Sequence, residues 1–266
     1  MKPYKELNPQ FLTDAGNKEH LIAFILETAD NYLILGQRLG ELCGHGPNLE
    51  PDIALTNIAL DLLGQVRNLY QYASQLKGDG TTEDDLAMKR KIKEYRNVLL
   101  VEQPNEDFGY VIVRQYFFDV YNRMFLTQLQ KSGDDTLAAI ASKGIKEASY
   151  HQRFTGDWLL RLGDGTEESH KRVQQAVDDL WVFTEELFDM TPATQAMIDA
   201  GVAPDMIQLQ EHYYEQIEEL LTQATLTIPE VPYMQRGGKR GLHSEHMGYL
   251  LADLQYMQLA YPNNRW

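Results

Sequence analysis

The sequence predicts an all-α protein: a four-helix bundle with one long crossover connection and additional helices after it. Three observations carry that expectation. Apolar residues recur at helical spacing while strand-like alternation is scarce. Glycine and proline punctuate the chain at intervals that leave four long helical stretches. Those stretches come as two pairs with short connections inside each pair and a long one between them, the pattern of a bundle with a crossover.

The first helix is expected from about His20 to Cys43, with Asn17 placed to cap it. Gly44-His45-Gly46-Pro47 stops it, since glycine suits a reversed helix end and proline cannot continue one. A second helix is expected from Pro51, a favoured first helical position, to about Leu76. After a break at Gly78 to Thr82 a shorter helix follows, about Glu83 to Asn97. Gln103-Pro104-Asn105 turns the chain into the third long helix, about Asp107 to Lys131. Ser132-Gly133-Asp134 ends it, and the fourth, about Thr136 to Arg161, closes at Gly163-Asp164-Gly165. Further helices are expected near Lys171–Phe188, Asp205–Thr222 and His243–Ala260, with a Pro/Gly-rich basic stretch from Ile228 to Leu242 before the last. The domain reading is an N-terminal extension over 1–19 and a single helical domain over 20–266, its bundle core about 20–163 and its tail packed on that core.

Composition narrows the function classes. A length of 266 residues with 43% hydrophobic and 24% charged content is ordinary for a globular protein with a sizeable core. No apolar run approaches the roughly 20 residues that span a bilayer, so no membrane segment is expected. Met1 to Glu19 is polar, carries Pro3 and Pro9, and lacks the apolar centre of a signal peptide. Cys43 is the only cysteine, which excludes an intrachain disulfide and fits a reducing compartment. A cytoplasmic location is expected. The formal net charge of −15, from 39 acids and 24 bases, repels phosphate backbones, so no nucleic-acid partner is expected.

The inner faces of a bundle decide whether it carries chemistry. Asp61 sits among Ile58-Ala59-Leu60 and Leu62-Leu63, on one face with Ile58, Gln65 and Leu69. Glu147 lines up with Ile140, Gly144, His151, Phe154 and Trp158. The first helix shows Glu27, Asn31, Arg38 and Glu41 at helical spacing, and the third shows Gln115, Asp119 and Asn122. Buried charges need partners, so these stripes imply an internal polar network, a metal or a solvent face. Di-iron bundles take one Glu from each of two helices and a Glu-x-x-His from each of the other two. Here the candidate places read Asp61-Leu62-Leu63-Gly64 and Glu147-Ala148-Ser149-Tyr150. Neither has its histidine: His151 stands at i+4 from Glu147, and Gly64 has no side chain at all. A remnant network is the favoured reading, in which Arg38 or another cation pairs with Asp61 and Glu147. The active alternative is an unusual metal set of Glu41, Asp61, Glu147 and His151.

Arg236-Gly237-Gly238-Lys239-Arg240-Gly241 is a glycine-rich basic loop in an acidic chain. It lacks the strand and spacing of a P-loop, so nucleotide triphosphate binding is not expected. Its donors could hold a phosphate or an acidic partner surface. His243-Ser244-Glu245-His246 reads as a helix N-terminus with side-chain hydrogen bonds to a neighbouring subunit, and a metal site there is weakly supported. Tyr116-Phe117-Phe118, Trp158 and Trp181 read as core, while Tyr213-Tyr214 has no assignment.

The runs from Arg38 to His45 and from Asn57 to Gln65 resemble the C-subunit family of the bacterial phenylacetyl-CoA epoxidases. So do Leu99-Leu100-Val101-Glu102-Gln103-Pro104-Asn105, Ile145 to His151 and Gly237 to His246. These five ordered motifs cover nearly the whole chain from about residue 28. The resemblance implies a ferritin-like fold and a complex that adds one oxygen atom of O2 across the aromatic ring of phenylacetyl-CoA. It implies that a related A subunit holds an intact di-iron site, that electrons come from NADPH through an iron–sulfur flavin reductase, and that the C subunit is structural. No catalytic residue, metal or cofactor is then expected in this chain. Asp61, Gly64, Glu147, Tyr150 and His151 become degenerate positions, and Arg38, Glu41, Asp61, Gln115, Asp119, Glu147 and His151 an internal network. Arg236, Lys239, Arg240, His243 and His246 become possible contacts to a partner or to the CoA phosphates, the alternative function being a helical module that holds a CoA thioester. Expected partners are the A subunit, as a heterotetramer of two A and two C, the other epoxidase subunits and the reductase, with a homodimer when the chain is isolated.

Overall fold

The computed structural model describes residues 14–262 and 264. Among them there is no strand; the chain is all-α, of the ferritin-like class, with four long helices and additional C-terminal ones. It divides into two compact units, one holding the described residues up to Pro104 together with those from Gly237 onward, the other running from Asn105 to Arg236.

The first unit is built on a hairpin of α1 (Ala15–Glu41) and α2 (Leu49–Lys77). Asp14 caps α1, its carboxylate accepting from the Gly16 N–H at 2.8 Å. The helix therefore starts earlier than expected, and Asn17 lies inside it. Residues 15–19 belong to this helix, and the part of the expected extension before residue 14 lies outside the described residues. Leu21, Phe24, Ile25, Leu35 and Leu39 of α1 are buried, as are Leu55, Ile58, Leu62 and Leu69 of α2. Each such side chain contributes about 1.5–3 kcal/mol on leaving water. Asp52, in the first turns of α2, accepts from the Gly44 and Gly46 N–H groups at 2.9 Å each and so fixes the connection. Gly78 ends α2 at φ 65°, a left-handed value that glycine adopts without strain.

The helix expected over 83–97 is much shorter. α3 (Glu83–Met88) stops after two turns, and the chain continues through short 3-10 turns at Ile92–Glu94 and Leu99–Glu102. The cause is tertiary. The Arg90 guanidinium donates from both Nη atoms to buried Asp30 of α1, at 3.0 and 2.5 Å. The Arg96 N–H reaches Asp30 at 2.7 Å, and the Val98 N–H reaches Asn31 Oδ1 at 2.8 Å. Backbone donors engaged by the neighbouring helix are not available for helical bonds of their own. Tyr70 of α2 completes the cluster, its hydroxyl donating to Asp30 at 2.6 Å. Burial, together with the Asp30 charge, holds that phenol well above its ordinary range.

The final helix of the chain (Glu245–Ala260, α9 in chain order after those named next) belongs to the same unit. Met247, Leu250 and Leu251 face inward, and the Gln255 amide donates to the Arg90 carbonyl at 2.8 Å and the Tyr95 hydroxyl at 2.9 Å.

The second unit contains α4 (Phe108–Leu129), α5 (Asp135–Gly163), α6 (Glu167–Leu180), α7 (Pro192–Asp199) and α8 (Met206–Gln223). Asp107 and Asp134 cap α4 and α5, accepting from Tyr110 N–H at 2.8 Å and Leu137 N–H at 2.9 Å. α4 is buried nearly all round, with Tyr116, Phe117, Phe118 and Phe125 in the core. Trp181 is buried as expected, whereas Trp158 is half-buried against the edge of Phe108. The helix expected to run from 171 to 188 becomes α6 followed by two 3-10 turns. α7 has no counterpart among the expected helices; Thr191 caps it and Pro192 opens it. Tyr213 is buried edge-on to Phe188 and Tyr214, which gives the Tyr213-Tyr214 pair an aromatic-core role.

Candidate functional site

The positions that would hold two metal ions do not carry a ligand set. On α2, Asp61 is half-buried and Gly64 is exposed, and a Cβ built on Gly64 would meet nothing within 4 Å. On α5, Glu147 is half-buried, while Tyr150 is 41% exposed and stacks on Phe154 with ring centroids 6.2 Å apart. A ligand aimed at an interior ion cannot also lie on the outer face, so Tyr150 does not replace the missing histidine. His151 is fully buried. Among the described residues no group of three or more His, Cys, Asp or Glu side chains could hold a metal ion. The alternative set of Glu41, Asp61, Glu147 and His151 gains no support, and the residues present do not fit a di-iron pair.

Two groups of the polar residues singled out on the inner faces have local bonding partners. On α1, Arg38 donates to Glu41 of the same helix at 2.9 Å, and its Nε and Nη2 donate to the carbonyl oxygen of Glu102, in the Leu99–Glu102 turn, at 3.1 and 2.8 Å. Within the second unit, Asp119 accepts from the Gln115 amide at 2.7 Å and from the Thr155 hydroxyl at 2.9 Å. Thr155 also donates to the His151 carbonyl one turn before it, at 2.9 Å. Asp119 is fully buried with only neutral donors on its oxygens. Burial pushes its carboxyl up to about 8, against the opposing effect of those two hydrogen bonds. Sequence reasoning passes over Thr155, although it lies one turn from His151 on the same face.

Much of the basic loop is engaged within its own chain. Arg236 is committed to two carboxylates of its own unit, Glu185 at 2.8 Å and Asp189. Lys239 is buried, leaving Arg240 as the loop's other exposed cation, and His246 is half-buried. Gly238 and Gly241 allow close packing. A Cβ on Gly238 would run into the Asn97 carbonyl, and one on Gly241, at φ 77°, would meet the Lys93 carbonyl oxygen.

The residues that follow the loop hold Glu102. This fully buried side chain, in the Leu99–Asn105 motif, has His243 Nδ1 2.6 Å from one oxygen. The Ser244 N–H and hydroxyl donate to the other oxygen at 2.8 and 2.7 Å. The Asn97 amide adds a further bond at 2.9 Å, and His243 Nε2 lies 3.2 Å from the Tyr95 carbonyl oxygen. His243 and Ser244 thus bond within their own chain. Glu102 and Asp30 are among the buried acids that sequence reasoning misses; His243 lies 141 positions from Glu102 and Arg90 lies 60 from Asp30, so no local spacing signals these pairs.

A family model described as phenylacetic acid catabolic protein matches residues 6–266. A curated relative, the C subunit of the 1,2-phenylacetyl-CoA epoxidase of Escherichia coli (strain K12), is 48% identical over 246 residues. That alignment covers 92% of this chain and 99% of the relative.

Proposed function

The chain belongs to the phenylacetic acid catabolic protein family, and from that membership we propose that it is the structural, non-catalytic subunit of a multicomponent 1,2-phenylacetyl-CoA epoxidase. In this reading a related A subunit holds the iron and performs the ring epoxidation, and the present chain supports it in the cytoplasm as a heterotetramer of two A and two C. The observation that carries the reading is the state of the two ligand positions. Gly64 offers no side chain and Tyr150 is turned outward, while buried Asp119 and Glu102 accept from protein donors. A bundle that keeps its packing and gives up its ligands suits a supporting role.

The test is to purify the chain alone, the A subunit alone and the two together, and to measure iron content and phenylacetyl-CoA turnover with reductase and NADPH. The expected outcome is no stoichiometric iron and no ring oxidation by this chain alone, with A-subunit activity raised by its presence. Stoichiometric iron together with ring oxidation by the isolated chain would overturn the proposal.

A further inference from the structure

α9 is apolar on two faces, and only one of them is used. The inner face packs through Met247, Leu250, Leu251 and Gln255. The outer face carries Tyr249, Ala252, Tyr256 and Leu259, all exposed, with Tyr249 at 74%, Tyr256 at 63% and Leu259 at 62%. Their spacing of three, four and three residues is that of the a and d positions of a heptad, the seam along which one helix receives another. A helix with a second apolar stripe beyond its core-facing one ordinarily has that stripe covered too. Aromatic side chains bury roughly 150–250 Å² each, so this seam supplies a large part of the ~800 Å² per partner of a standard interface.

The rigid seating of α9 suits such a role. His243 and Ser244 fix its N-terminal end to Glu102, and Gln255 fixes its middle to Arg90 and Tyr95. Anchoring on the inner side lets the outer side chains present a preformed surface, which lowers the ordering cost of association.

Charge selects the occupant. The helix carries Glu245 and Asp253, both exposed, and no lysine or arginine. Asp253 flanks the seam between Ala252 and Tyr256. A second copy paired antiparallel along this seam would set Asp253 against its own mate and bring together two chains of net charge −15. A heterologous helix with aliphatic residues at its own a and d positions and Lys or Arg flanking them avoids both penalties.

We propose that the outer face of α9 is a docking seam for a basic-flanked amphipathic helix of the catalytic subunit. This rests on the structural-subunit reading above and adds the surface and its chemistry.

The experiment measures binding of the full chain to the purified catalytic subunit by calorimetry, across a salt series, with light scattering to report self-association. Tyr256→Glu is expected to weaken binding about tenfold or more, as for a central aromatic anchor. Asp253→Lys is expected to weaken it less and to flatten the salt dependence, while Ile207→Glu, at an exposed apolar residue of α8, leaves it unchanged. Circular dichroism melts verify that these outward-facing variants stay folded. Wild-type affinity in Tyr256→Glu and Asp253→Lys would overturn the proposal, as would an effect confined to self-association, which assigns the seam to a second copy. Absence of any complex with the wild-type chain would instead refute the structural-subunit reading, and the seam assignment with it.

Discussion

Asp30 on α1 and Asp119 on α4 are both fully buried aspartates on long helices, and their surroundings are opposite. Asp30 takes the forked Arg90 guanidinium on both oxygens, with the Tyr70 hydroxyl and the Arg96 N–H besides. Burial alone would lower the Arg90 guanidinium, yet the Asp30 charge holds it above its ordinary value. Asp119 receives two good hydrogen bonds and no counter-charge, and its carboxyl is pushed up to about 8. Hydrogen bonds from neutral donors therefore do not keep a buried carboxylate in the usual acid range when desolvation opposes them. The two sites also differ in reach. The Asp30 cluster binds a distant stretch of chain to its helix, whereas Asp119 is met from one turn away on α4 and from α5.

Removing the counter-charge is the harshest way to break this comparison. Arg90→Met leaves Asp30 buried without its cation and is expected to cost about 3–5 kcal/mol, read from the urea midpoint. Arg90→Lys keeps the charge, loses the fork and falls between the two. A loss below about 1 kcal/mol in Arg90→Met would show that Asp30 is carried by Tyr70 and the backbone alone.

The second test removes the charge from Asp119. Its carboxyl titrates near 8 when folded and near the ordinary aspartate value of 3.8 when unfolded, so the unfolded chain loses its proton first. The stability associated with this proton is fully present below about pH 4 and is lost as pH rises toward about 8, at up to roughly 1.4 kcal/mol per pH unit. Asp119→Asn is expected to remove that slope, gaining stability over the wild type at neutral pH and little near pH 4 (the unfolded-state value above). The substitution is well accommodated, since the new side-chain amide can donate to Gln115 Oε1, which has no partner among the described residues. Urea midpoints across this pH range that run parallel for the two proteins would refute it.

The same contrast explains what could be read from the sequence. The long helices were legible because periodicity over many residues averages out local accidents; spacing put Gln115 and Asp119 on one face but left a solvent face open, and only the structure shows Gln115, Asp119 and His151 buried. Helix starts were less so: Asp14 and Asn17 are both good caps, and only the observed bond to the Gly16 N–H chooses Asp14. The helix expected over 83–97 broke because Asp30 draws in Arg90 and the Arg96 N–H, a tertiary pull that propensity cannot register. α7 escapes sequence reading although Thr191 and Pro192 announce it, because eight residues are too few for a clear period. Glu102 sits in one of the five resembling motifs, but its partners His243 and Ser244 lie 141 and 142 positions away.

The mildest perturbation bears on Gly64, the α2 position where the sequence pattern lacks a histidine. Gly64 is an exposed glycine inside α2 with nothing within 4 Å of a prospective Cβ. On the isolated chain Gly64→Ala has only the backbone to act on, and reduced unfolded-state entropy is expected to raise stability by about 0.5–1 kcal/mol. A gain of that size in a thermal melt fits a position free of internal packing demands. A loss would mean that the glycine is held by contacts within the chain, against the open surroundings seen here. Unlike the aspartates, whose worth is set by what surrounds them, Gly64 has no surrounding to lose. Its variant therefore isolates helix propensity from both pairing and desolvation.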